Sequence, residues 1–289
     1  MRPLPLSAAL VLMAAAAGGA AEPRQLIAVA SSAVSLDGRL DEPFWTQAPV
    51  TEPFVYLATT VAAHLQTRVR AGYDAANLYL AIEAEDPNAL NPRAPRRERD
   101  AEELWRDDCI ELFFAPELGS GEYFQLIFNW AGARYDARLG GQQAGAAWQP
   151  DPDWRVAMYA AEKLLCAEVA IPFAGLGVPP PARGELWGLK ICRSLWDRGA
   201  DRNADRHTVW AYAQNGYHDP AGWGWLYFGA RNLLDNPDFA QPPAADGLPR
   251  GWRRQLTWRE GEDPAGEVTQ VTLDGRNALR LYKRPEAQG

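Results

Sequence analysis

The chain has 289 residues, 47% hydrophobic and 23% charged, with a formal net charge of −8. These are globular proportions, which exclude disorder and collagen-like structure, and the negative sign argues against a nucleic-acid or anionic-membrane partner. Three cysteines exclude a disulfide scaffold and a four-thiolate zinc site, while twelve tryptophans supply flat faces for a core or for ligands.

The first segment reads as a targeting signal over residues 1–21. Arg2 gives a positive start, Leu4 to Ala17 an apolar run, and Gly18-Gly19-Ala20-Ala21 small residues for cleavage. The run is too short for a membrane span, so a soluble, secreted or periplasmic protein is expected. In that oxidising compartment Cys109, Cys166 and Cys192 form at most one bridge. All three lie in apolar, strand-like runs, and we read them as small buried hydrophobes.

After the leader the apolar residues recur with period two, the mark of strands with one buried face. Strands are predicted over 66–73, 78–84, 109–114, 124–130, 154–160, 164–171, 187–195, 208–213 and 224–228. Turn signals separate them, among them Asp74-Ala75-Ala76-Asn77, Gly119-Ser120-Gly121 and Pro179-Pro180-Pro181. Helical pattern is confined to single turns near 41–48, 101–105 and 172–176. The expected fold is all-β: an antiparallel β-sandwich of immunoglobulin-like or jelly-roll type over residues 22–229.

The pattern changes near Gly229. Residues 230–289 carry loops and three short strand candidates, 255–258, 268–273 and 278–282. A β-sandwich takes roughly 100 residues, so this segment is expected to be an incomplete β domain, cut from a longer chain, or a linker that leans on a partner.

The order of motifs is recognisable. Leu36-Asp37-Gly38-Arg39-Leu40-Asp41-Glu42-Pro43-Phe44-Trp45 opens the domain; Val69-Arg70-Ala71-Gly72-Tyr73-Asp74 and Trp105-Arg106-Asp107-Asp108-Cys109-Ile110-Glu111 follow. Ala170-Ile171-Pro172-Phe173, then Trp187-Gly188-Leu189-Lys190, lead to the closing run Gly224-Trp225-Leu226-Tyr227-Phe228-Gly229. Over about residues 26–229 the series resembles the carbohydrate-binding module family 9-like domains. The start of the tail resembles a galactose-binding-like jelly roll.

The resemblance implies non-catalytic glycan binding, with a terminal sugar held between two aromatic rings and its hydroxyls bonded from the sheet. The chemistry suits a pyranose, whose C–H faces stack on a π surface and whose hydroxyls pair with carboxylates, amides and guanidinium groups. Carried over, Trp105 is the first aromatic wall and Tyr217 the second, preceded by Gln214 and Asn215. Glu111 is the sheet carboxylate and Asn129 the sheet amide, sharing its phase with Gln125. Where sugar binders carry an arginine this chain has Ile127, and where they carry a glutamine it has Cys192. Arg193 is the candidate replacement guanidinium, although strand alternation turns it to the opposite face unless a bulge intervenes.

The ligand set expected from the sequence is therefore Trp105, Glu111, Gln125, Asn129, Arg193, Asn215 and Tyr217, in a monomer that takes the terminal sugar of an oligo- or polysaccharide. No cofactor is expected beyond a structural calcium ion, for which Asp107, Asp108 and Glu111 are the acidic cluster considered. The same cluster is the ground for a glycosidase reading. His64, His207 and His218 are too dispersed for a zinc signature, and Met158 is the one thioether after the leader that a haem-binding reading could use. A sandwich that has lost its pocket and serves as a structural or interaction domain is the other alternative.

Overall fold

The computed structural model describes residues 23–31, 34–140, 153–196, 206–219 and 222–229 in full, and the backbone of 266–273 and 276–283. Its strands are β1 (Gln25–Ala30), β2 (Val55–Tyr56), β3 (Thr67–Tyr73), β4 (Asn77–Glu85), β5 (Cys109–Ala115), β6 (Tyr123–Asn129) and β7 (Arg134–Leu139). They continue with β8 (Arg155–Ala161), β9 (Leu164–Pro172), β10 (Leu186–Ser194), β11 (His207–Val209) and β12 (Gly224–Phe228). An antiparallel hairpin, β13 (Gly266–Leu273) with β14 (Arg276–Lys283), stands apart in its own two-stranded sheet. Helix among the described residues is one turn at Phe173–Leu176 and two 3-10 turns, at Pro43–Thr46 and Leu104–Arg106. None is long and apolar enough to cross a membrane.

The main sheet runs β7-β6-β5-β10-β12-β1-β3-β4-β9-β8, and it folds over on itself at β1. The first part of β1 pairs with β12 and its end pairs with β3. Both pairings are parallel, whereas every other ladder among the described residues is antiparallel, so the described sheet is mixed at this strand. Passing a strand from one layer to the other is how a sandwich closes a corner.

The layers meet through the period-two rows. Leu78, Leu80 and Ile82 of β4 and Ala167, Val169 and Ile171 of β9 share one buried cluster with Ile110, Leu112 and Phe114 of β5 and Leu189 and Ile191 of β10. Each such Leu, Ile, Val or Phe side chain contributes about 1.5–3 kcal/mol on burial. The three cysteines are buried and unbridged.

The two outer faces differ, and that difference positions the site. The outer face of β4 and β9 is covered by the opening segment: Val34, Leu36, Leu40 and Phe44 pack with Trp45 on Tyr79, Ala81 and Ala170. Buried Glu168 anchors it, accepting from the amides of Asp37 and Gly38 at 3.0 and 2.9 Å and from the Trp45 indole at 3.3 Å. Gly38 is required there, because its φ is +83° and any Cβ would lie 2.5 Å from the Met158 carbonyl carbon. The outer face of β5, β6 and β10 is instead roofed by loops that leave a cavity.

The predicted strands coincide with β3, β4, β5, β6, β8, β9, β10 and β12, whereas the one expected over 208–213 overlaps only the end of β11, residues 210–213 being bend and loop. Three were not foreseen: β1, the two-residue β2, and β7, although its Arg-Tyr-Asp-Ala-Arg-Leu run alternates Tyr135, Ala137 and Leu139 with charged residues. The helical turns fall where expected. The signal segment and residues 255–258 lie outside the described residues.

Candidate functional site

The floor of the cavity comes from three adjacent strands. In β5 the outward row is Cys109, Glu111 and Phe113, facing Asn129, Ile127 and Gln125 of β6 on one side and Ser194, Cys192 and Lys190 of β10 on the other. Gln125 Nε2 donates to Glu111 Oε2 at 2.9 Å. Glu111 is only 4% exposed, and burial lifts its carboxyl from the usual 4.5 to about 7, the Gln125 hydrogen bond opposing that rise.

One wall is Trp105, in the 3-10 turn just before β5. Leu104 plugs the turn into a small apolar cluster with Cys109, Ile127 and Ala133. Two aspartates brace the surrounding loop. Asp107 accepts from Arg96 Nη1 at 2.6 Å and Asn129 Nδ2 at 2.8 Å. Asp108 accepts from the amides of Arg93 and Trp196, each at 2.7 Å. The indole itself is 42% exposed, and Trp105 is the one exposed tryptophan among the described residues.

The opposite wall is the 214–219 loop. Tyr217 is half-buried and its hydroxyl donates to the Arg193 carbonyl at 2.8 Å, so the phenol tip is turned inward and only the ring is offered to the cavity. Its ring stands edge-on to His207, centroids 5.7 Å apart, and His207 Nδ1 lies 3.2 Å from Ser194 Oγ. Burial, with Arg206 nearby, holds the His207 pKa below its ordinary value. The loop is fixed from below by Lys190, whose ammonium donates to the carbonyls of Tyr217 (2.9 Å) and Asp219 (2.5 Å). Asp219 in turn accepts from the amides of Gln214 and Asn215 at 3.0 Å.

Trp105, Glu111, Gln125 and Tyr217 thus line one pocket of about 490 Å³. The structure adds residues that sequence reasoning did not place there: Leu57, Tyr135, Leu139, Ser194, His207 and His218. The period-two phase of β10 could have supplied Ser194, two residues beyond Cys192. Tyr135 and Leu139 share the apolar row of β7, which alternates with Arg134, Asp136 and Arg138 and could have marked them; Leu57, His207 and His218 come from β11 and loops with no such alternation.

Three expected ligands lie elsewhere. Arg193 is turned into the sandwich interior, fully buried, with Nη2 3.5 Å from Asp86 Oδ2 and Nη1 3.4 Å from Thr67 Oγ1. The β5–β10 register is unbroken from Gly188 to Ser194, so no bulge brings the guanidinium to the face of Glu111. Asn129 is buried under the loop that precedes β5: its amide nitrogen serves Asp107 and the Arg96 carbonyl, and its oxygen caps the amides of Ala131 and Ala133. Asn215 stays with Asp219, supporting the loop rather than lining the pocket.

The acidic cluster is likewise dispersed by its partners, since Asp107 and Asp108 are engaged by loop donors while Glu111 faces the cavity. Among the described residues no three His, Cys, Asp or Glu side chains stand together as a metal site. Met158 packs against the core.

No curated protein sequence matches the chain. Among solved structures it is similar to a carbohydrate binding module family 9 from Caldicellulosiruptor kristjanssonii in complex with glucose. That match has TM-score 0.52 at 16% identity and covers 74% of this chain and 100% of that one. The complex of a family 9 module from the same organism with cellotriose gives 0.51 at 15% identity, covering 74% and 96%. A protein from Bacteroides uniformis gives 0.54 at 15%, covering 71% and 99%. At such identities the likeness speaks to the fold. The sequence family described as carbohydrate family 9 binding domain-like matches residues 36–229, the whole span from the opening motif to the end of β12, and the chain belongs to that family.

Proposed function

We propose that the chain is an exported, non-catalytic carbohydrate-binding module that takes a sugar in the pocket over β5, β6 and β10. The observation that carries this is the pairing of a buried, hydrogen-bonded Glu111–Gln125 floor with an exposed Trp105 indole on the rim of the same pocket. An indole offers a face to the C–H side of a pyranose. A carboxyl and an amide side by side offer donors and acceptors to its hydroxyls. Tyr217 closes the opposite side as a ring held still by its own inward hydrogen bond.

Among the described residues Glu111 is the one carboxyl lining the pocket, whereas hydrolysis of a glycosidic bond uses a facing pair. Relatives of the same fold were solved with glucose and with cellotriose, and a neutral gluco-configured sugar is the first ligand to try. Export, by way of the segment 1–21, is part of the same reading, as is service to glycan-degrading machinery.

The experiment is a glycan array on the full chain, followed by calorimetric titration of the best hits. Saturable binding that is lost in Trp105→Ala supports the reading. A blank array, or binding unchanged by that substitution, overturns it in favour of a sandwich used for structure or protein contact.

A further inference from the structure

The outward rows that floor the pocket do not stop at its edge. Along β5 the row runs Glu111, Phe113, Ala115, beside Gln125 and Tyr123 on β6 and Ser194, Cys192, Lys190 and Gly188 on β10. Past Tyr123 it reaches a second recess of about 210 Å³, lined by Ala115, Leu118, Tyr123, His218 and Trp223 and edged by exposed Glu117. His218 lines both cavities.

The ridge between them is aromatic. His218 Nδ1 lies 2.9 Å from the Tyr123 hydroxyl, and its ring stands edge-on to Phe113 at 5.2 Å. Tyr123 in turn meets Trp223 edge-on at 5.8 Å. Trp223 is seated close to the sheet because Gly188 lies beneath it. A Cβ there would come within 3.2 Å of the indole and 2.8 Å of Leu118. Lys190 Nζ lies over one face of the indole, 5.3 Å from its centroid, and helps to hold the ring.

Glu111 to Ala115 is four strand residues, about 13 Å, farther than one sugar ring reaches. The second recess repeats the chemistry of the first: a half-buried indole, an exposed leucine for a C–H face, and carboxylates at the border for hydroxyls. Glu122, also at this border, is already paired with Arg138 at 2.6 Å. The acidic edge disfavours a uronic acid and suits a neutral sugar.

We propose that the site takes a linear, neutral oligosaccharide, one sugar over Glu111 and Gln125 and the next ones crossing His218 to stack on Trp223. The inference rests on the carbohydrate reading of the first pocket.

The test is titration of the full chain with glucose, cellobiose and cellotriose, and in parallel with xylose, xylobiose and xylotriose. In at least one series the trisaccharide is expected to bind about tenfold more tightly than the monosaccharide, the size of one added aromatic contact. Trp223→Ala, and separately Leu118→Ser on the exposed turn, should bring that ratio down toward one. Leu118→Ser guards against a Trp223 variant that fails to fold. Equal affinity for monosaccharide and trisaccharide in the parent chain, or a ratio unmoved by Leu118→Ser, overturns the extended site and leaves the first pocket standing. Absence of binding in both series, with a blank array, overturns the carbohydrate reading and this inference with it.

Discussion

Gln125 and Glu111 meet one step off the direct pair in the β5–β6 ladder: Gln125 stands opposite Phe113, and its amide reaches diagonally to the Glu111 carboxyl at 2.9 Å. Diagonal neighbours on a sheet face are within reach of long side chains. A carboxylate has about four lone-pair directions and an amide oxygen two, so the contact orients both groups while leaving acceptor capacity for hydroxyls. Cys192, the direct neighbour of Glu111 on β10, brings no competing charge.

Burial of Glu111 has a consequence for stability. Its carboxyl titrates near 4.5 in the unfolded chain and about 7 in the fold, so between those values the folded state holds a proton that the unfolded state has released. Stability is highest below about pH 4.5 on this account, falls as pH rises, and levels off above about 7, with a total of about 3 kcal/mol. Glu111→Gln should remove that slope and be the more stable protein at pH 8. Urea unfolding of both chains at several pH values isolates the effect by difference. Parallel curves for the two chains would contradict the assignment.

Trp105→Ala separates binding from folding. The indole is exposed and its loop is held by Leu104, Asp107 and Asp108 rather than by the ring. Thermal unfolding should therefore move by less than about 0.5 kcal/mol, while affinity for the best array ligand falls at least about tenfold. A matched loss of both quantities would mean that the ring is a packing residue.

The faces of the strands were legible in the sequence; the partners of individual polar groups were not. In β5 the alternation of Ile110, Leu112 and Phe114 with Glu111 and Phe113 declares which side is core, and Glu111 follows directly. Asn129 shares the phase of Gln125, yet the loop carrying Asp107 folds over it, and a contact 22 residues away leaves no local signal. Arg193 obeys the alternation rule, one residue out of phase with Cys192. Its partner Asp86 comes from the opposite layer, which periodicity does not reveal. Tyr135 and Leu139 enter the pocket from a strand whose alternation with Arg134, Asp136 and Arg138 stands in the sequence, but both of its faces are half-buried, so the alternation alone does not say which face meets the pocket.

Arg193 belongs to the fold rather than to the ligand site, and this can be measured. Removing one side of a buried ion pair leaves the other charge uncompensated, at about 3–5 kcal/mol. Arg193→Met should lower the urea midpoint accordingly, and Arg193→Met combined with Asp86→Leu should recover much of the loss. Where either variant is folded, sugar affinity should match the parent. A large affinity loss in the folded double variant would return Arg193 to the binding site.

Lys190 is the test of how the second wall is held. Its ammonium is buried, and desolvation lowers its pKa below the usual lysine value, yet it sits where the carbonyls of Tyr217 and Asp219 both point inward. Lys190→Met keeps the length of the side chain and removes the donor, leaving two carbonyls short of a partner at a cost of about 2 kcal/mol. The loop that carries Tyr217 and His218 should then open more often. Amide hydrogen exchange at Gln214 and Asn215, whose N–H groups donate to the Asp219 carboxylate, should accelerate, and affinity for the best array ligand should fall several-fold. Exchange and affinity both unchanged in a variant that is folded but destabilised would show that Lys190 supports the sandwich without positioning the wall.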